Sequence, residues 1–200
     1  MRTHGLERLV LTLAAWLPLA ALAATNEPPL PGVWQKHEYA LSFIGVTSSY
    51  SCDGIADKVK LLLKAAGARD DVKVYGSCSS PLGGPSKISI ARATFYTLAP
   101  EPAAAAGRPD GAAPAAAPER APGAWKAVEF RDRTPGWLEG GDCELVEQFD
   151  RELLPFFTTR NHQSHMTCVP HEYQLGAISV QFEAFAPLPR PRAAANVAAQ

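Results

Sequence analysis

The chain has 200 residues, 20% of them charged and 46% hydrophobic, and a formal net charge of −1. So even a balance does not indicate a polyanion-binding surface, and nucleic acid is not expected as a partner. Length and composition suit one folded domain of ordinary size, and the four cysteines are an even set, which reads as disulfides if the chain is exported.

The N-terminus has the three parts of a secretory signal. Arg2 and Arg8 give a short basic start, diluted by Glu7. Leu9 to Leu17 is apolar apart from Thr12, Pro18 breaks the run, and Ala21-Leu22-Ala23 supplies a small-x-small cleavage pattern. Residues 1–23 are therefore expected to be a Sec-type signal peptide cut after Ala23, with Ala24 the near alternative. The apolar run is shorter than the ~20 residues of a membrane span. No cysteine near the cleavage site offers a lipid anchor, and no span is expected in the mature chain. The expected address is periplasmic or secreted.

Tyr39 to Ser48 predicts a strand, rich in β-branched and aromatic residues. Cys52 or Asp53 to Ala66 predicts a helix: Ile55, Val59, Leu62, Leu63 and Ala66 share one face, Ser51 or Asp53 can cap its start, and Gly67 suits its end. Val72 to Cys78 predicts a strand with Val72, Val74, Gly76 and Cys78 on one face. Ser86 to Leu98 predicts a longer strand, bent near Ala91.

Residues 99–123 are almost entirely Ala, Pro and Gly with a few charges, and predict a disordered linker. Trp125 to Arg131 predicts a strand with Val128 and Phe130 on one face. A glycine-rich loop leads to a helix from Asp142, whose apolar face is Leu145, Val146, Phe149, Leu153, Phe156 and Phe157. Pro155 should shorten or kink it. A short strand is expected near His165 to Val169. Leu175 to Phe185 alternates most clearly, with Ile178, Val180 and Phe182 against Ser179, Gln181 and Glu183. The tail from Pro187 is expected to be disordered.

The chain thus divides into residues 24–98 and 124–186, each reading β-α-β-β. With Cys52 aligned on Cys143, Ile55 falls on Val146, Leu62 on Leu153 and Leu63 on Leu154, all core-face positions, although Val59 falls on Asp150. An internal repeat is the expectation. The expected fold class is α+β: two similar halves forming one mixed or antiparallel sheet with both helices on one face.

The chemistry-bearing candidates are few. A helix that returns alongside a sheet brings its start near the end of the following strand, which pairs Cys52 with Cys78 and Cys143 with Cys168. Each closure contributes about 3 kcal/mol in the chain-entropy model. Redox catalysis wants Cys-x-x-Cys spacing, which does not occur. His162, His165, Cys168 and His171 lie three apart. Imidazole and thiolate ligate zinc or copper, and Met166 suits copper(I). In a strand, however, His165 and Cys168 point to opposite faces, and an oxidised Cys168 is no ligand. Pro81-Leu82-Gly83-Gly84-Pro85-Ser86-Lys87 lacks P-loop spacing and reads as a connecting loop. Asp53, Asp57, Glu139, Asp142 and Glu144 near helix starts read as capping and dipole groups. Trp34, Trp125 and Trp137 are candidates for exposed aromatics at a binding surface.

The segment Tyr50-Ser51-Cys52-Asp53-Gly54-Ile55 to Gly76-Ser77-Cys78, with its counterpart around Gly141-Asp142-Cys143-Glu144-Leu145, resembles small exported proteins of Gram-negative bacteria that have no assigned activity. The resemblance implies a periplasmic or secreted address and supplies no catalytic residue. The expected function is a non-enzymatic, disulfide-stabilised binding or structural module whose partner is another envelope or secreted protein, with no cofactor. The alternatives are a zinc or copper site at His162, His165 and His171, and a hydrolase with a dispersed site.

Overall fold

The computed structural model describes residues 27–79, 84–102 and 118–188. The expected signal peptide, most of the expected linker and most of the expected tail fall outside those residues. Among them lie six strands, β1 (Leu30–Ile44), β2 (Lys73–Cys78), β3 (Ile88–Pro100), β4 (Arg120–Arg131), β5 (Thr159–Met166) and β6 (Ile178–Pro187). Two α-helices, α1 (Cys52–Ala65) and α2 (Cys143–Glu152), follow β1 and β4.

The strands form one antiparallel sheet in the order β2-β3-β1-β4-β6-β5. Each half places its strands in the same order from the edge inward, and the first strand of each half lies at the centre. The α+β class is as expected, and of the two sheet types the antiparallel one is present.

Helix α1 forms where the apolar stripe predicts it. The Ser51 hydroxyl accepts from the Gly54 N–H at 3.0 Å, Asp53 lies in the first turn and Lys64 in the last. Ile55, Val59, Leu62, Leu63 and Ala66 are fully buried. The chain leaves through Gly67 at φ +104°, a left-handed conformation that favours glycine. Helix α2 stops at Glu152, and Pro155 sits in the 3-10 turn Leu154–Phe156 that follows. Both helices bury their stripes in one continuous core, where Leu62, Leu63, Val146 and Phe149 meet Leu41, Phe43, Phe95, Phe130, Val180 and Phe182. Each such side chain, fully buried, contributes about 1.5–3 kcal/mol.

Several boundaries depart from expectation. Strand β1 starts at Leu30, well before Tyr39, and ends at Ile44. Strand β3 runs through Pro100 and β4 begins at Arg120, so both ends of the span expected to be a linker are strand. Strand β6 takes in Pro187, the first residue of the expected tail. The cause is the junction between the halves. Pro31 faces Pro122 where β1 meets β4, and the Pro31 and Pro122 carbonyls accept from the Glu101 and Leu188 N–H groups. Prolines are tolerated here because the Pro31 and Pro122 nitrogens point away from the β1–β4 pairing, past Gly32 and Gly123 where the β1–β3 and β4–β6 ladders end. The glycines are required by close packing: a Cβ on Gly32 or Gly123 would lie 2.6–2.9 Å from Leu98 and Phe185 side-chain atoms. At the two described ends of this span, a Pro/Gly/Ala-rich composition therefore hides strand. Strand β5 lies earlier than His165–Val169 because it is an exposed, bulged edge with no apolar alternation.

Candidate functional site

The densest polar cluster of the described residues joins the halves. Glu144, on the first turn of α2, is buried, and its carboxylate accepts from the backbone N–H groups of Val46, Thr47 and Ser48 at 2.9–3.2 Å. One turn on, the Gln148 side chain accepts from the Ile44 N–H at 3.1 Å and donates to the Ile44 carbonyl at 3.0 Å, as a neighbouring strand would. The loop that ends β1 is thus held by the helix of the other half. In return, Lys58 of α1 donates to the Trp137 carbonyl at 2.8 Å and to Asp142 Oδ2 at 2.6 Å. Asp142 also accepts from the Tyr50 hydroxyl at 2.6 Å and from the Glu139 N–H at 2.9 Å.

Capping alone does not describe these acids. Asp142 closes a capping box with Glu139, but its side chain also anchors Tyr50 and Lys58. Glu144 carries three backbone groups of the other half. Burial first, and the Asp142 carboxylate second, push the Tyr50 phenol far above its usual range, so it stays protonated and donates. Asp142 is paired with Lys58, and Glu144 is satisfied by backbone N–H groups. The arrangement fixes chain and leaves no base poised against a nucleophile.

A second constellation lies at the junction and was missed from the sequence. The Arg69 guanidinium stacks 3.7 Å from the Tyr96 ring centre and 5.5 Å from that of Trp34. The Arg160 guanidinium stacks 4.3 Å from that of Trp125. Their ion pairs cross: Arg69 reaches Glu119, just before β4, at 2.5 Å, and Arg160 reaches Glu27, just before β1, at 2.8 Å. The signal was available, because Pro31-Gly32-Val33-Trp34 and Pro122-Gly123-Ala124-Trp125 recur at the interval that separates Cys52 from Cys143, as do Arg69 and Arg160. Trp137 instead packs half-buried on the core, with Lys58 Nζ 5.8 Å from its ring centre.

The cysteines are bridged as Cys52–Cys78 and Cys143–Cys168, with Cα atoms 5.3 and 5.7 Å apart. The three candidate metal-ligating histidines are dispersed. His162 turns toward α2 and bonds Asp150 at 2.8 Å. A register shift between Arg160 and Gln163 separates it from His165, which pairs with Ser179 on the opposite side of the sheet. His171 lies in the following loop, its N–H donating to the Thr47 hydroxyl at 2.7 Å. Among the described residues no group of three or more His, Cys, Asp or Glu is placed to hold a metal ion.

The side of the sheet away from the helices differs between the halves. In the first it carries Ile44, Ile88 and Tyr75, which are 62%, 58% and 68% exposed. Ile44 and Ile88 are paired across β1 and β3, and Tyr75 faces Arg92. In the second half it carries Glu129, Gln181 and Glu183, bonded to Arg131, to Glu129 and to Arg160 and Asn161 respectively. Compared with known proteins, the chain matches no family model, no curated protein and no solved structure.

Proposed function

We propose that this chain is a non-enzymatic, exported binding module built from two copies of one β-α-β-β unit. One contrast carries the reading. The buried charged groups at the centre hold main chain and Tyr50, whereas large apolar side chains stand in solvent on the sheet side opposite the helices. Chemistry needs buried, poised polar groups; recognition needs accessible apolar ones. Two disulfides and no described helix long and apolar enough to cross a membrane fit an exported protein. The repeated Pro-Gly-x-Trp, the shared strand order and the crossed Arg–Glu pairs support the duplication.

The test is crosslinking of the exported protein in its own compartment, comparing wild type with the Tyr75→Ser/Ile88→Ser double variant. The expected result is a discrete crosslinked protein partner whose yield falls at least about tenfold in the variant. Turnover of an ester, amide, phosphoester or glycoside reporter by the purified mature chain, with no such partner, would overturn the reading.

A further inference from the structure

The inner strand β1 is longer than its pairing with β4. The two strands overlap only at Leu30–Val33 against Arg120–Gly123, whereas β1 continues to Ile44 beside β3. The hydrogen bonds fix which way each backbone group points. The Pro31 carbonyl and the Gly45 N–H bond toward β3, to Glu101 and Lys87. The Trp34 N–H bonds away from β3, to the Glu119 carbonyl, and Ile44 bonds away from it to Gln148. Strand groups alternate, so the N–H and C=O groups of Lys36, Glu38, Ala40 and Ser42 also point away from β3. Among the described residues these groups have no partner, and all four residues are exposed.

This edge differs from the two outer ones. Strand β5 is guarded by its bulge, with Asn161 at φ +55°, and β2 is short and carries Gly76. From Lys36 to Ser42 the β1 edge has neither bulge nor proline. It is bounded at one end by Glu119 on Trp34 and at the other by Gln148 on Ile44. The same two stops would meet a second copy of the chain presenting its own β1, whereas a single extended segment fits between them. On the helix side such a segment would meet half-buried Tyr39 and Phe156, whose ring centres lie 5.4 Å apart. On the other side it would meet Lys36, Glu38 and Ser42.

We infer that the β1 edge from Lys36 to Ser42 is a strand-addition site for an extended, proline-free segment of a partner protein, with apolar residues alternating with polar ones. The segment adds its backbone to the free groups of Lys36, Glu38, Ala40 and Ser42, and its apolar side chains cover Tyr39 and Phe156. This inference rests on the binding-module reading and adds, beside the exposed face of Tyr75 and Ile88, a second site with its own partner chemistry.

The test uses the mature full-length chain and peptides selected on it from a random 12-residue library. Amide exchange is then followed by NMR with and without a selected peptide. In the free chain the amides of Lys36, Glu38, Ala40 and Ser42 should exchange fast and those of His37, Tyr39 and Leu41 slowly. Bound peptide should slow the first set at least about tenfold. Ala40→Pro removes one outward N–H while leaving the β3 ladder whole, and should weaken binding about tenfold. Ser42→Pro serves if the Ala40 variant fails to fold. Slow exchange of the four amides in the free chain would overturn the site. Peptides that bind Ala40→Pro equally well and protect Tyr75 and Ile88 would overturn the site but keep the module reading. Enrichment of no peptide would overturn the site, and the crosslinking experiment above then decides the module reading separately.

Discussion

Helices α1 and α2 begin alike and end up with different tasks. Each starts at a disulfide cysteine followed by an acid. Asp53 on α1 is exposed and serves the helix dipole. Glu144 on α2 is buried and carries three N–H groups of the loop that follows β1. The next turn repeats the contrast, with Asp57 exposed and Gln148 buried against Ile44. A helix start thus attracts an acid for local reasons, and burial against a neighbouring loop turns that acid into a clamp. The crossing is unequal, since α2 grips the first half through Glu144 and Gln148 while α1 returns only Lys58.

Removing the clamp should have the largest effect. Glu144→Ala leaves three N–H groups of one loop without an acceptor and is expected to cost about 3–5 kcal/mol in urea unfolding. Asp53→Ala, at the matching place on α1, should stay within about 0.5 kcal/mol of wild type. Equal losses at the two positions would erase the contrast.

The junction gives a smaller effect, and here the halves should respond alike. Gly32→Ala and Gly123→Ala each push a Cβ against Leu98 and Phe185, both 1% exposed. A crowded core of this kind is expected to lose about 1–3 kcal/mol per substitution. If one variant is neutral and the other severe, the two glycines do not play equivalent parts.

The smallest effect concerns pH and belongs to the first half. His37 lies among Phe95 and Phe156, 5.3 and 5.0 Å between ring centres, and burial lowers its pKa from 6.5. The Thr97 hydroxyl donates to the Phe156 carbonyl and so accepts from His37 Nε2 at 2.8 Å. A depressed folded-state value means the neutral ring is favoured by folding. Its contribution is whole above pH 6.5 and is lost as pH falls through the lower folded value. Wild type should lose a little thermal stability on acidification below pH 6.5, and His37→Gln should flatten that slope. An unchanged slope would assign the effect to other groups.

How much of this was legible in the sequence follows from where each signal is local. The apolar stripes of α1 and α2, the alternation of β6 and the stop at Pro155 are short-range patterns, and they gave the elements. The pairing of the cysteines followed from one topological step. The extents of β1, β3 and β4 did not follow, because at Pro31, Gly32, Pro122 and Gly123 the composition answers to a strand on the other half. Glu144 and Gln148 were unreadable for the same reason: a carboxylate in a first turn looks identical whether it faces water or three N–H groups of a distant loop. The two Trp–Arg stacks were readable in principle, since Pro-Gly-x-Trp recurs at the interval already set by the cysteines.

The two halves hold each other through the crossed contacts of Glu144, Gln148, Lys58, Arg69 and Arg160, not through the chain that connects them. The direct measurement is calorimetry of the oxidised protein, cut at a protease site inserted between Pro102 and Pro118. The cut protein should stay one particle and melt in a single transition, as the uncut chain does. Separation of the two pieces, or two independent transitions in the uncut chain, would contradict it.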